Sequence, residues 1–230
     1  MKIFVFPVLF GLIGASFLMA GSEVNDRVVR GAIVLKEISG ISEKSIPQDL
    51  LDKCACVAVI PGMKKGGFIF GANYGRGLMS CRTNEGQGPW SAPSMFYLSG
   101  GSFGLQIGGQ SVDLILVIMN LSGMKSLLNT KFTLGGDVSV AAGPVGRTAA
   151  AETDALMSAE ILAYSRARGL FAGLVIKGGV IRPDKDANKV LYGKQLEPGD
   201  ILFQPAQAVP KDVKIFLDEL TRMSPKKLGD

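Results

Sequence analysis

The sequence predicts an α+β fold: one strongly curved, mainly antiparallel, glycine-rich sheet, barrel-like in its curvature, flanked by an amphipathic helix at each end. Three observations carry that expectation. The stretch after Glu23 repeats apolar residues at helical spacing. The middle of the chain alternates apolar residues with glycines an even number of positions apart, and the stretch after Pro210 returns to helical spacing.

Taken in order, the chain opens with Lys2 before an apolar run from Ile3 to Ala20 and then small residues. That pattern is a secretory signal over residues 1–22, with Ala20 and Ser22 marking the cleavage site. Left uncut, the run would serve as an anchor helix. No cysteine follows Ala20, so a lipid-modified N-terminus is not expected. The remainder, residues 23–230, is the right length for a single domain, and no linker divides it.

From Glu23, the residues Val24, Val28, Ala32 and Leu35 recur at helical steps, with Arg27, Arg30, Lys36 and Glu37 on other faces; this helix should end near Gly40. Pro47 opens one or two further helical turns. From Cys54, "CACVAVIPG" and "GGFIFGANYGRGLMSCR" read as strands joined at "PGMKKG", a hairpin whose tip carries Lys64 and Lys65. In the second strand Gly67, Gly71, Gly75 and Gly77 share one face, while Phe68, Phe70, Ala72 and Tyr74 share the other. The design recurs at Gly104 and Gly108, and at Gly169 and Gly173. Glycine weakens a strand unless a bare face permits close approach or a sharp bend, so three such segments predict strong curvature.

"VDLILVIMN", from Val112 to Asn120, should be a central buried strand, followed by a short helix in "SGMKSLLN" and strand-like pieces around the Gly-Gly turn of "FTLGGDVSVAAGPVGR". "AEILAYSRARGLFAGLVIKGGVIRPD" reads as a hairpin turning at "RARG", with Arg166 and Arg168 at its tip. Pro210 then starts a closing helix with Val213, Phe216, Leu217 and Leu220 on one stripe.

The chemistry is narrowed by one absence: the chain has no histidine, which removes the commonest general base and neutral metal ligand together. Gly100, Ser102 and Gly104 form a G-x-S-x-G that would place Ser102 at a nucleophile elbow, but no Ser-His-Asp site can be completed. Ser122 with Lys125 and Ser224 with Lys227 match S-x-x-K without its companion motifs. The glycine clusters lack the endings of phosphate loops and dinucleotide folds. Glu152 and Asp154 read as a solvated turn. The expectation is a chain that is not an enzyme and uses no cofactor or metal.

Three cysteines are too few for a four-thiolate zinc site. In an exported chain Cys81 pairs with Cys54 or Cys56, or all three are buried as small hydrophobes. The formal charge is +5, falling to +4 when Lys2 leaves with the signal. That excess suits an anionic surface and is too small to indicate nucleic acid. The candidate lipid contacts are the Lys64 and Lys65 tip, the Arg166 and Arg168 tip with Leu170 and Phe171 beside it, and the Arg27, Arg30, Lys36 flank of the first helix. The alternative at each place is an ordinary solvated surface.

Four segments, "IPGMKKGGFIFGANYGRG", "WSAPSMFYLSGGSFGLQIGGQSVDLILVIMN", "TLGGDVSVAAGPVGR" and "YSRARGLFAGLVIKGGVIRPD", resemble in this order the SYLF-domain family. The likeness runs from about Ala32 to Leu220, with W-S-A-P at Trp90–Pro93 and G-P-V-G-R at Gly143–Arg147 the most specific parts. The resemblance implies phosphoinositide-membrane binding, as in eukaryotic members, and actin binding, as in fungal ones; many bacterial members are exported. It also implies lipid contacts on a basic N-terminal amphipathic helix, here at Arg27, Arg30 and Lys36. For an exported chain in a bacterial periplasm, peripheral to a membrane, the expected partner is an anionic phospholipid or an envelope protein, with actin unlikely in that compartment.

Overall fold

The computed structural model of the chain describes residues 11–40, 45–67, 70–103, 108–126, 131–146, 159–167, 170–203 and 209–225. Helix α1 (Gly11–Ser39) ends where the spacing placed it, its last turn closed by the Gly40 N–H donating to the Lys36 carbonyl. Val24, Val28, Ala32 and Leu35 are all buried, and Val34 and Ile38 widen the same stripe. Helix α2 (Gln48–Lys53) follows Pro47 directly. Among the described residues no helix is long and apolar enough to cross a membrane.

Among the described residues nine strands make one strongly curled sheet, a half-barrel: β1 (Cys56–Gly67), β2 (Phe70–Cys81), β3 (Ser94–Phe103), β4 (Gly108–Ile118), β5 (Phe132–Thr133), β6 (Val140–Ala142), β7 (Ile161–Ala167), β8 (Leu170–Gly173) and β9 (Val180–Pro183). Their order is β5-β9-β3-β2-β1-β4-β7-β6, with β8 pairing beside β7. All pairs are antiparallel except β6 with β7. The central order β4-β1-β2-β3 is a Greek key. Further helices follow at α3 (Leu121–Ser126), α4 (Lys185–Tyr192), α5 (Pro198–Leu202) and α6 (Lys214–Met223), the last preceded by a 3-10 turn at Lys211–Val213.

Strand alternation creates two cores. In β1 the run Cys56 to Ile60 is buried throughout. Cys56, Ala58 and Ile60 pack inside the curl with Phe96, Leu114 and Leu116, while Val57 and Val59 pack on the outer face with Val28, Leu35 and Phe216 from α1 and α6. The closing stripe of α6 behaves as its spacing predicts: Val213, Phe216 and Leu220 are buried. Close approach is why glycine serves the inner face: a Cβ on Gly77 would stand 2.4 Å from the Val59 carbonyl oxygen.

The structure corrects the first hairpin. "PGMK" is not its turn: β1 runs on to Gly67, and the pairing with β2 shifts register between Val59 and Lys64. Gly62, at φ 62°, makes this a bulge rather than a reversal. Its N–H donates to the Asp113 carboxylate at 2.8 Å. Lys64 and Lys65 therefore lie within a strand, opposite Tyr74 and Asn73. A strand paired on both sides absorbs one irregularity more readily than it gives up two ladders. The "RARG" reversal between β7 and β8 is present, with Ala167 opposite Leu170.

Cys56 and Cys81 face each other in register and form a disulfide, which settles the partner of Cys81 as Cys56. Cys54 stays a thiol, buried and donating to the Leu51 carbonyl; burial pushes its pKa up to about 12. Titration with a thiol reagent near neutral pH should find no reactive thiol in the native protein. It should find one after denaturation alone and three after denaturation with reductant. Three thiols after denaturation without reductant would contradict the disulfide, and a reactive thiol in the native protein would contradict the burial of Cys54.

Candidate functional surface

Helix α1 crosses the outer face of the sheet from β2 to β7 and is tied down from its middle to its end. At mid-helix, Glu23 accepts from Arg76 of β2, and Arg27 Nη1 donates to Asp184 Oδ2 at 2.9 Å. Near its end, Glu37 pairs with Arg166 of β7, whose guanidinium also donates to Asp113 Oδ2 at 2.7 and 2.9 Å. Burial pushes the Asp113 carboxyl up, opposed by the Gly62 N–H and by the nearby Arg30 charge. Burial likewise lowers the pKa of Arg166.

These ties sort the sequence-predicted contacts into two groups. Arg27 is 4% exposed and held between α1 and α4, where Asp184 also caps α4 by accepting from the Ala187 N–H; its place on a solvent face is corrected. Arg166 is a half-buried ion-pair partner. Phe171 is buried too, its ring stacked on Tyr164 with centroids 5.4 Å apart, while its neighbour Leu170 is 72% exposed. Arg30, Lys36 and Lys64 remain exposed, with Lys65 half-buried. Arg30 pairs with Asp26 on the same helix, and Lys64 reaches Ser111 on β4. Arg168 lies outside the described residues, as do Glu152 and Asp154.

Sequence reasoning missed Arg76. It stands two residues beyond Tyr74, so strand parity puts both on the outer face; Arg76 Nε donates to the Tyr74 hydroxyl at 3.0 Å, and Tyr74 faces Tyr97 across 6.4 Å. Parity was the available signal. Together Arg30, Lys64, Tyr74 and Arg76 form a basic and aromatic surface just beyond α1, with Val29 and Ile33 exposed on the helix behind it.

Ser102 lies opposite Gly71 in β3, which continues to Phe103. The segment is a strand between strands, not the strand-to-helix turn of a nucleophile elbow. Among the described residues no group of His, Cys, Asp and Glu is placed to hold a metal ion.

A family model described as Ysc84, Las17-binding protein actin regulator, matches residues 99–223, more than half of the chain. The chain belongs to the Ysc84 family. This is the SYLF-domain likeness carried by the motifs. Among its relatives, LAS seventeen-binding protein 3 of Saccharomyces cerevisiae is 36% identical over 155 residues, 66% of this chain and 33% of that protein. An SH3 domain-containing protein of Schizosaccharomyces pombe is 35% identical over 177 residues, 74% of this chain and 40% of its own length. SH3 domain-containing YSC84-like protein 1 of Mus musculus is 32% identical over 210 residues, 87% of this chain and 60% of that protein. The chain thus spans between a third and three-fifths of these relatives.

In this Ysc84-family chain the two motif clusters have structural work. Trp90 of W-S-A-P donates its Nε1–H to the Ser224 carbonyl, and the Arg82 guanidinium lies 4.1 Å over its ring while donating to Ser224 O and Oγ at 2.6 Å. A buried cation thus meets the C-terminal end of α6, where the helix dipole favours it. Gly143 of G-P-V-G-R supports the Tyr164 ring. Both clusters lock helices or loops onto the outer sheet face, so the motifs that name the Ysc84 family fix its shape.

Proposed function

We propose that the protein is a non-catalytic lipid- or membrane-surface-binding module of a bacterial envelope, delivered by a signal at residues 1–22 and working in the periplasm at a membrane's edge. One observation supports this above others. Arg30, Lys36, Lys64 and Arg76 stay exposed with Tyr74, Val29 and Ile33 on the outer side of the molecule, Arg30 and Arg76 in solvent-facing pairs with Asp26 and Glu23, while Arg27 and Arg166 are withdrawn into less exposed pairs. The apolar stripe of α1 is occupied by the sheet, so headgroup contact in the docked state falls to the exposed cations. An exported chain meets neither Las17 nor actin, and the anionic surface available to it is phospholipid.

The test is co-sedimentation with neutral and anionic vesicles across a salt series. Binding should select the anionic vesicles and fade with salt, because exposed charges are screened over about 8 Å at physiological ionic strength. At about 1 kcal/mol per basic residue near an anionic surface, combining Arg30→Gln, Lys36→Gln and Lys64→Gln should weaken binding roughly a hundredfold and leave the fold intact. Absence of sedimentation with either vesicle at low salt would retire this reading. The second reading, a protein-interaction module of the envelope, is favoured by a relative named for binding another protein. Crosslinking in the envelope is its test.

A further inference from the structure

Beyond α1, one rung before the Phe70–Phe103 pair at the strand ends, the outer sheet face carries a row with no side chain larger than a methyl group. Gly109 of β4, Gly66 of β1, Ala72 of β2 and Gly101 of β3 stand opposite one another in register, and all four are exposed. The fold does not demand glycine here. Among the described residues a Cβ built on Gly66 or Gly109 meets nothing within 4 Å, and one on Gly101 comes no nearer than 3.9 Å to another atom. On the opposite face the case is reversed, where a Cβ on Gly75 would stand 2.4 Å from Ile60. Exposed strand glycine forfeits stability that β-branched residues would supply. Three in one row, without steric cause, mark a surface shaped for contact.

Two further rungs give that surface its chemistry. Next along the strands stand Lys64 and Tyr74 with Ser99 and Ser111; beyond them stand Arg76, Tyr97 and Arg182. Successive rungs on one face are about 6.7 Å apart. From that row toward α1, the surface therefore passes from bare neutral backbone, through a tyrosine and lysine, to a tyrosine between two arginines. That is the order in which a membrane interface accepts groups: neutral ones deepest, tyrosine at headgroup level, cations against the anionic surface. The inner strands β1 and β2 are paired on both sides, so their ladders stay satisfied where water is scarce.

We propose that this end of the β4-β1-β2-β3 Greek key is the part of the protein that enters an anionic lipid surface, with the Gly109–Gly66–Ala72–Gly101 row among the headgroups. The proposal rests on the membrane reading above and adds the penetrating element and its orientation. Because α1 crosses the strands, it lies along the surface with Arg30 toward it.

The experiment places an environment-sensitive fluorophore on Ala72→Cys or, for comparison, on Ile33→Cys of α1; buried Cys54 does not compete for label. Vesicles of phosphatidylcholine with or without phosphatidylglycerol are added, and iodide quenching is read alongside co-sedimentation of unlabelled protein. On anionic vesicles the label at 72 should shift to the blue and become at least threefold less quenchable, with the label at 33 unchanged. Binding abolished by labelling at 72 but not at 33 supports the proposal equally. If the protein sediments while the label at 72 stays as quenchable as in solution, or only the label at 33 is shielded, the Greek-key end is not the penetrating element and the membrane reading stands without it. If unlabelled protein fails to sediment, both fall. Gly66→Glu with Gly109→Glu, built into open space, should keep the native circular dichroism and weaken binding at least tenfold; unchanged binding would overturn the proposal.

Discussion

A Gly143→Ala variant is expected to lose about 3 kcal/mol of folding stability, at the upper end of overpacking costs. The added methyl would sit 2.0 Å from Tyr164 Cζ and 2.4 Å from both adjacent ring carbons. The ring cannot yield: Tyr164 is wholly buried and stacked on Phe171 at an interplanar angle of 5°. Among the described residues its buried hydroxyl finds no hydrogen-bond partner, so a Tyr164→Phe variant removes an unsatisfied polar group and should be neutral or stabilising. Urea denaturation of Gly143→Ala, Tyr164→Leu and the double variant measures the contact. The double variant should be distinctly more stable than the two single losses predict together, and simple additivity would show that the clash is relieved elsewhere.

Arg27→Met is expected to lose about 3 kcal/mol, the lower end of the cost of removing one partner from a buried pair. It leaves Asp184 mostly buried beside the end of α4 with its cation gone. Arg30→Met, three residues along the same helix, should stay within about 0.5 kcal/mol of the parent, as exposed substitutions do, because its pair with Asp26 is half in water. Vesicle binding should show the opposite ranking among folded proteins, with Arg30→Met the weaker binder. Equal stability losses would mean that α1 is not held at Arg27.

That contrast shows how far the sequence could be read. Periodicity finds the buried stripe of α1, and Arg27 falls beside it, but whether a flanking arginine meets water or a carboxylate depends on Asp184, far along the chain. The curved, glycine-rich sheet was legible because even spacing puts bare backbone on one face whatever the partner strand. The position of Lys64 and Lys65 was not, since a Pro-Gly pair signals a turn locally and becomes a bulge only when strands on both sides hold the register. Helix α4 was passed over although its signals are present: Asp184 as cap after Pro183, and Gly193 at φ 68° as the stop. Its docking rests on Asn188, which exchanges hydrogen bonds with the Met95 backbone, and no local pattern announces such a pairing. The Arg82, Trp90 and Ser224 cluster likewise joins distant segments, with Trp90 as its one visible mark.

The strand order also governs how the chain can assemble. The Greek key is contiguous, residues 56–118, so its contacts form between segments near in sequence. Strand β9 is separated from β3 along the chain by β4, β5, β6, β7 and β8 and must still reach Phe96–Ser99, and the entropy of closing so long a loop is met before any ladder bond compensates it. Until β9 docks, β3 has an open edge that would accept the same edge of another copy. Aggregation during refolding should therefore be controlled by the last strand to arrive rather than by the glycine-rich strands that look most vulnerable.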